Sequence, residues 1–132
     1  MAAFELSLTI APSDIDVMGH VNNVTYLRWV LDAATAHWAQ LASAEEQAQV
    51  LWIVLRHEID YKHAALPGDA IIARTWVGVA TRLRFERFTQ ILREADRKVL
   101  ASAKSIWCPI DAKTMKPTQV SAALRAACSA PG

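Results

Sequence analysis

The sequence is poor in cysteine and has no large excess of charge of either sign. Cys108 and Cys128 are too few for a disulfide framework, so we expect a reducing compartment, the cytoplasm being the simplest. The formal net charge of +1 argues against a broad electrostatic surface for nucleic acid. No apolar run approaches the length of a membrane span, and the first residues lack the basic and apolar regions of a secretory signal.

The composition is that of one folded globular domain. Hydrophobic residues make up 53% of the 132 residues and charged residues 20%, which excludes a disordered chain. This length suffices for one domain with a real core and is too short for two. We therefore expect a single domain over residues 1–132. The five tryptophans are most simply core or interface residues.

Hydrophobic periodicity predicts the order of the elements. Alternation over residues 4–10 predicts a first strand, and apolar residues at helical spacing predict a helix from about Asn23 to Ser43. A loop from Asp14 to about Asn22 separates the two, and Gly19 gives it a flexible point. Residues 45–47 are predicted to be a polar connection. Further strands are predicted at 50–61, 70–79, 82–92 and 98–110, the last ended by Pro109, and a short helix at about 119–128.

This order favours an α+β fold with one sheet and one long helix. Short turns, such as residues 66–69 and 94–97, make antiparallel neighbours, whereas parallel pairs need a crossover. An apolar helix against one antiparallel sheet is the economical way to bury both faces. The sequence therefore predicts the hotdog fold, an antiparallel β-sheet wrapped around a long central α-helix.

The loop before the helix carries the most informative chemistry, with the sequence DIDVMGHVNNVTY over residues 14–26. A helix start offers free N–H groups that can hold the oxyanion formed when a thioester carbonyl is attacked. Asp16 is a candidate base for activating water, or a candidate nucleophile. His20 is a candidate for positioning the water or moving a proton.

Two other interpretations of these residues stay open. An aspartate in a loop before a helix is often only a cap or a turn former. Asp14 and Asp16 are also a conceivable metal pair, although a metal site needs further ligands.

The same segment resembles the active-site loop of the 4-hydroxybenzoyl-CoA thioesterase family, especially its short bacterial acyl-CoA thioesterases. That family shows Asp-x-Asp-x-x-Gly-His-Val-Asn-Asn-x-x-Tyr, which residues 14–26 match throughout. Weaker similarities follow at residues 57–61, 67–69, 82–85 and 98–111, so that the resemblance covers about the first 120 residues. Residues 11–13, Ala-Pro-Ser, depart from the aromatic or arginine residue that the family often has just before the loop.

The resemblance implies a role for several residues. Asp16 matches the catalytic carboxylate, and the backbone N–H near Asn23 matches the oxyanion donor at the helix start. Asn22, Asn23 and Tyr26 would then shape that turn and the pocket beside it. We also expect Gly19 to belong to the substrate-binding loop and His20 to assist catalysis.

Arginines near the start of the 82–92 strand form a candidate phosphate patch. Arg82, Arg84 and Arg87 suit the phosphates of coenzyme A, because a guanidinium offers a rigid fork of donors. Alternating charges on a strand are equally consistent with its solvated face. His57 and His63 are interpreted as structural or solvent-facing.

The resulting hypothesis is an acyl-CoA thioesterase that hydrolyses a fatty or aromatic acyl-CoA without metal or cofactor. We expect it to be a homo-oligomer, at least a dimer and, as the favoured state, a homotetramer. The alternatives are a non-catalytic acyl-CoA-binding module on the same fold and an acyl-carrier-protein thioesterase. A hotdog dehydratase is disfavoured, because its different His/Asp arrangement is not found.

Overall fold

The helices and strands follow the predicted order. A computed structural model of the chain describes residues 3–129. Its elements are β1 (Phe4–Thr9), α1 (Asn23–Leu41), α2 (Ala44–Gln49), β2 (Val50–Tyr61), β3 (Ala70–Ala80), β4 (Phe85–Arg93), β5 (Val99–Asp111) and α3 (Ala122–Ser129). A 3-10 turn over Pro12–Asp14 lies between β1 and α1.

The strands form one antiparallel sheet in the order β1-β3-β4-β5-β2. The sheet curves around α1, which contacts β1, β3 and β4. Trp29 and Val30 of α1 are 1% exposed and belong to one core cluster with Ile71, Ile91 and Leu100 of the sheet. The hotdog fold predicted from the sequence is confirmed.

Burial of apolar side chains stabilises the position of α1 more than its N-terminal cap does. Asn22 caps the helix, since its side-chain oxygen accepts a hydrogen bond from the Val24 amide at 2.9 Å. Such a cap contributes about 1 kcal/mol, whereas burial of one large apolar side chain contributes about 1.5–3 kcal/mol. The predicted apolar stripe provides several such side chains, among them Tyr26, Trp29 and Val30. The position of α1, and of the loop before it, therefore follows from the core.

The predicted polar connection at residues 45–47 is wrong, because these residues lie in α2. Ser43 accepts a hydrogen bond from the Glu46 amide at 3.1 Å, and the Glu46 carboxylate accepts one from the Ser43 amide at 2.8 Å. This capping box stabilises a helix of only six residues.

The predicted start of the fourth strand is also wrong. Residues 81–84 form a turn in which the Thr81 amide donates to the Arg84 carbonyl at 2.8 Å, and β4 begins at Phe85. Arg82 and Arg84 are exposed on this turn, but Arg87 faces the interior and is 9% exposed. Arg87 is thus no part of an exposed arginine patch.

Two expectations about strand ends and neighbours fail as well. Pro109 does not end β5, which continues to Asp111. The pairing of β4 with β5 stops at Trp107, so only β2 lies beside Pro109, and a proline that donates no hydrogen bond is tolerated there.

The turn between β2 and β3 does not make these two strands neighbours, since β2 pairs with β5 at the edge of the sheet. Residues 62–69 instead run from one side of the sheet toward the other, past the start of α1.

Candidate active site

The loop before α1 is held in a small hairpin. Ile15 and Val21 form an antiparallel bridge, and the Asp16 amide donates to the His20 carbonyl at 2.8 Å. The Gly19 amide donates to the Asp16 carbonyl at 3.0 Å, which closes a tight turn. Gly19 has a φ of +75°, a left-handed conformation that glycine adopts without steric cost. Gly19 thus reverses the chain and brings His20 back beside Asp16.

The Asp16 carboxylate is oriented by the same turn. Its Oδ1 accepts hydrogen bonds from the amides of Met18 at 2.9 Å and His20 at 3.3 Å. Within residues 3–129, its other oxygen, Oδ2, has no hydrogen-bond donor. Asp16 is partly exposed. The arrangement fixes the carboxylate while leaving one oxygen available to a water molecule or a substrate.

Asp14, two residues earlier, is bound into the protein framework. It is 3% exposed, and its carboxylate accepts hydrogen bonds from the Ala11 amide at 2.8 Å and the Thr25 hydroxyl at 3.4 Å. Arg28 Nη1 lies 3.1 Å from Asp14 Oδ1. Burial by itself would raise the pKa of Asp14, but the hydrogen bonds from Arg28 and the Ala11 amide outweigh it and lower the pKa below its usual value. The Asp14 carboxylate therefore ties the loop to the first turns of α1.

The start of α1 presents an uncapped amide beside this loop. Asn22 caps the Val24 amide, and the Thr25 amide donates to the Asn22 carbonyl at 2.9 Å. In the part of the chain that the structure describes, the Asn23 amide has no acceptor. It lies at the positive end of the helix dipole, where an oxyanion is stabilised.

These groups line one open cleft of about 440 Å³. Tyr26 forms a wall of the cleft, and its hydroxyl accepts a hydrogen bond from the Ala65 amide at 2.9 Å. Burial raises the pKa of Tyr26, which keeps the hydroxyl neutral. The Tyr61 hydroxyl lies 3.4 Å from the Asn23 carbonyl, and its ring meets that of Tyr26 edge to face. The cleft is lined by Asp16, Met18, His20, Val21, Asn22, Asn23, Tyr26 and residues 61–64.

The structure brings together six of the eight site residues predicted from the sequence. Asp16, His20, Asn22, Asn23 and Tyr26 line the cleft, and Gly19 forms the turn that positions two of them. Their roles in substrate binding and catalysis stay predictions.

Arg82 and Arg84 are not brought to this cleft within one chain. Their turn precedes Phe85, whereas the cleft lies near the Ile91 end of β4, since Ile91 pairs with Ala101 and Ala101 with Tyr61. The six residues from Phe85 to Ile91 correspond to about 20 Å of strand. Contact of Arg82 or Arg84 with coenzyme A also stays a prediction.

Sequence analysis missed the contribution of residues 61–64 to the cleft. Tyr61 ends β2 on the inner face of the sheet, and the amides of Lys62 and His63 donate to the Leu100 carbonyl at 2.8 Å and 3.1 Å. These contacts depend on the pairing of β2 with β5, which no local sequence signal reveals. His63, interpreted as structural or solvent-facing, thus supplies a second imidazole to the cleft.

Asp14 and Asp16, the conceivable metal pair, face different groups. Asp14 is engaged by Arg28, Thr25 and Ala11, whereas Asp16 faces the loop amides. Among residues 3–129, no three His, Cys, Asp or Glu side chains are grouped as ligands.

Comparison with known protein families shows to which superfamily this chain belongs. The profile of the thioesterase-like superfamily matches residues 10–128, nearly the whole chain. The chain belongs to the thioesterase-like superfamily. As a member of this superfamily it is a thioester hydrolase, which agrees with the enzyme class expected from the sequence.

Several solved structures share the fold of this superfamily member. A 1,4-dihydroxy-2-naphthoyl-CoA thioesterase from Synechocystis superimposes with a TM-score of 0.81 and 18% identity, covering 96% of this chain and 95% of its own. A thioesterase from Thermus thermophilus, complexed with coenzyme A and Zn, gives 0.82 and 19%, with coverages of 94% and 90%. A hypothetical protein from Staphylococcus aureus, in complex with coenzyme A, gives 0.84 and 15%, with 96% and 81%.

No curated protein matches this thioesterase-like chain. Within residues 3–129, none of its helices is both long enough and apolar enough to cross a membrane.

Proposed function

We propose that this protein hydrolyses acyl-CoA thioesters to the free acid and CoA, with Asp16 as the reacting carboxylate. The observation that carries the proposal is the cleft around Asp16. One Asp16 oxygen is fixed by two loop amides, the other has no donor within residues 3–129, and the Asn23 amide lies uncapped in the same cleft. The acyl-CoA names and bound coenzyme A of the similar structures support the choice of thioester.

The chemistry assigns one task to each group. Asp16 removes a proton from water as the water attacks the thioester carbonyl, and the Asn23 N–H stabilises the resulting oxyanion. Collapse of that intermediate breaks the C–S bond, and CoA leaves as a thiolate that takes up a proton. Direct attack by Asp16 would instead form an anhydride, which water then hydrolyses. Single turnover in ¹⁸O-water tests the second route, since ¹⁸O enters Asp16 only if an anhydride forms and water attacks it at the Asp16 carbonyl.

A hydrolysis screen tests the proposed function. Fatty and aromatic acyl-CoA esters are supplied to the protein, and a thiol-reactive dye reports the CoA that is released. We expect turnover with at least one ester, and a kcat lower by about 10²-fold or more with Asp16→Asn. Binding of the esters without turnover would favour the acyl-CoA-binding module, and turnover restricted to acyl-carrier-protein thioesters would favour the carrier-protein enzyme.

The proposal includes a homo-oligomer in the cytoplasm, at least a dimer. β2 lies at a sheet edge, and Leu51, Ile53 and Leu55 on one of its faces are 43%, 47% and 46% exposed. A long apolar edge strand invites pairing with another chain. Both cysteines are free and buried, as suits a reducing compartment. Light scattering at micromolar concentration should give at least twice the 14.6 kDa of one chain, and a monomer would contradict the dimer.

A further inference from the structure

A second cavity lies at the other end of α1 from Asp16. It measures about 290 Å³, and four aromatic side chains contribute to its wall, namely Trp38, Trp52, Phe85 and Trp107. Cys128 of α3 also lines it. Ala34, the first α1 residue in its wall, follows Asn23 by eleven residues, about 16 Å along the helix axis. No residue lines both this cavity and the Asp16 cleft.

A buried guanidinium reaches this aromatic cavity. Arg87 lines it and is 9% exposed, and its Nη1 lies 2.9 Å from His37 Nδ1 and 3.1 Å from Thr75 Oγ1. Burial, followed by the nearby Arg87 charge, lowers the pKa of His37 to about 4, so the imidazole is neutral at pH 7 and Nδ1 accepts the hydrogen bond. Burial lowers the pKa of Arg87 to about 10, which leaves the guanidinium charged. Both partners of Arg87 are therefore neutral.

The positive charge has no carboxylate partner among residues 3–129. Glu86, which also lines the cavity, is held by Lys104 at 3.1 Å and by the Val79 amide at 3.1 Å. A buried charge is costly unless it is paired, so an isolated guanidinium beside an apolar cavity suggests a missing anion.

Unused N–H groups around the cavity point to the same kind of ligand. A guanidinium has five N–H donors, and the two on Nη1 of Arg87 face His37 and Thr75. The N–H groups of Nε and Nη2 have no acceptor within the described residues, and this edge has the spacing that binds both oxygens of a carboxylate. The cavity thus has surplus donors and a positive charge inside an apolar wall.

We propose that this cavity binds a monocarboxylate with an apolar body, its carboxylate on Arg87 and its body between the tryptophan and phenylalanine rings. Two carboxylate oxygens would take the free edge of the guanidinium, and the rings would enclose the apolar body. A small apolar acid is also the class of product that thioester hydrolysis releases. The site is separate from the Asp16 cleft, and its occupancy does not require turnover.

Intrinsic fluorescence provides the test, because three of the five tryptophans line the cavity. Phenylacetate and phenylacetamide are the probes, since they share size and shape and differ in charge. Phenylacetate should change the emission saturably, and phenylacetamide should bind at least tenfold more weakly. Arg87→Met should weaken phenylacetate binding at least tenfold. Arg56→Met is the matched control, because Arg56 is 67% exposed in its side chain and does not line the cavity, and it should bind like the wild type.

Two further variants separate this site from its alternatives. Trp52→Leu removes one aromatic ring from the wall and leaves Arg87 in place, so it should weaken phenylacetate binding several-fold even if Arg87→Met does not fold. Equal binding of the acid and the amide would overturn the proposal, and so would saturation lost in Asp16→Asn, which would place the probe in the other cleft. Absence of saturable binding up to millimolar phenylacetate would also overturn it. An inactive protein that binds phenylacetate through Arg87 would contradict only the proposed hydrolysis.

Discussion

The two aspartates of the loop before α1 offer a sharp contrast, because the structure gives them opposite surroundings. Asp16→Asn should remove activity and preserve the fold, whereas Asp14→Asn should lower stability more than it lowers the rate. Asparagine keeps one oxygen, so at position 16 it can still accept from the Met18 and His20 amides. Its NH₂ group would replace Oδ2, which has no donor within the described residues.

The expected magnitudes follow from these contacts. Loss of the carboxylate at position 16 removes the base or nucleophile, and kcat should fall by about 10²-fold or more, equivalent to at least about 2.7 kcal/mol of barrier. At position 14 both carboxylate oxygens accept hydrogen bonds. In Asp14→Asn the side-chain NH₂ group would replace one of these acceptors and would point at a donor, so one hydrogen bond is lost. Loss of a buried, charge-assisted hydrogen bond costs about 1.5–3 kcal/mol of unfolding free energy. The ion pair with Arg28 adds little, because the Arg28 side chain is 52% exposed.

The assay measures kcat on a single acyl-CoA ester and the thermal midpoint for both variants. His20→Ala belongs in the same series and should show an intermediate kcat, as expected for an assisting residue. A nearly normal kcat for Asp16→Asn would refute the assignment of Asp16. A lowered midpoint with an unchanged rate would show that Asp16 is a structural turn former.

The other predictions address phosphate binding, metal dependence and pH. Arg82→Ala and Arg84→Ala should raise KM for CoA esters and leave kcat nearly unchanged, because a phosphate contact stabilises the bound substrate and the transition state equally. An unchanged KM in both variants would identify the 81–84 turn as a solvated surface. Activity should survive exhaustive EDTA treatment, because a carboxylate, water and backbone donors suffice for the chemistry; loss of turnover rescued by one divalent ion would instead revive the metal interpretation. The unfolding free energy should fall as the pH drops from about 6.5 toward 4, because unfolded His37 binds a proton in this range while folded His37, with a pKa lowered to about 4, does not. In His37→Asn, the unfolding free energy measured with denaturant should depend less on pH between about 6.5 and 4 than in the wild type. Part of the pH dependence should persist, because burial also lowers the pKa of His57. An identical pH dependence in the variant and the wild type would contradict this account.

Much of the fold could be predicted from the sequence because its signals are local. The apolar stripe of α1, the Asn22 cap and the Gly19 turn each depend on residues within a few positions of one another. The Ser43–Glu46 capping box is equally local, so the start of α2 is also encoded within four consecutive residues. The Asp16 loop was found for the same reason, since its geometry is set almost entirely by residues 14–23.

The sequence by itself thus determined the five strands, α1, α3, their order and the loop that carries Asp16. Only the tertiary structure decided which strands are neighbours and what each strand faces. Pairing of β2 with β5 brings residues 61–64 to the cleft, although they lie about 45 residues after Asp16 in the chain. The register of β4 turns Arg87 inward, and a shift by one residue would have turned it to the other face. Strand pairing and register depend on contacts distant in sequence, and for that reason the cavity beside Arg87 could not be predicted from local patterns.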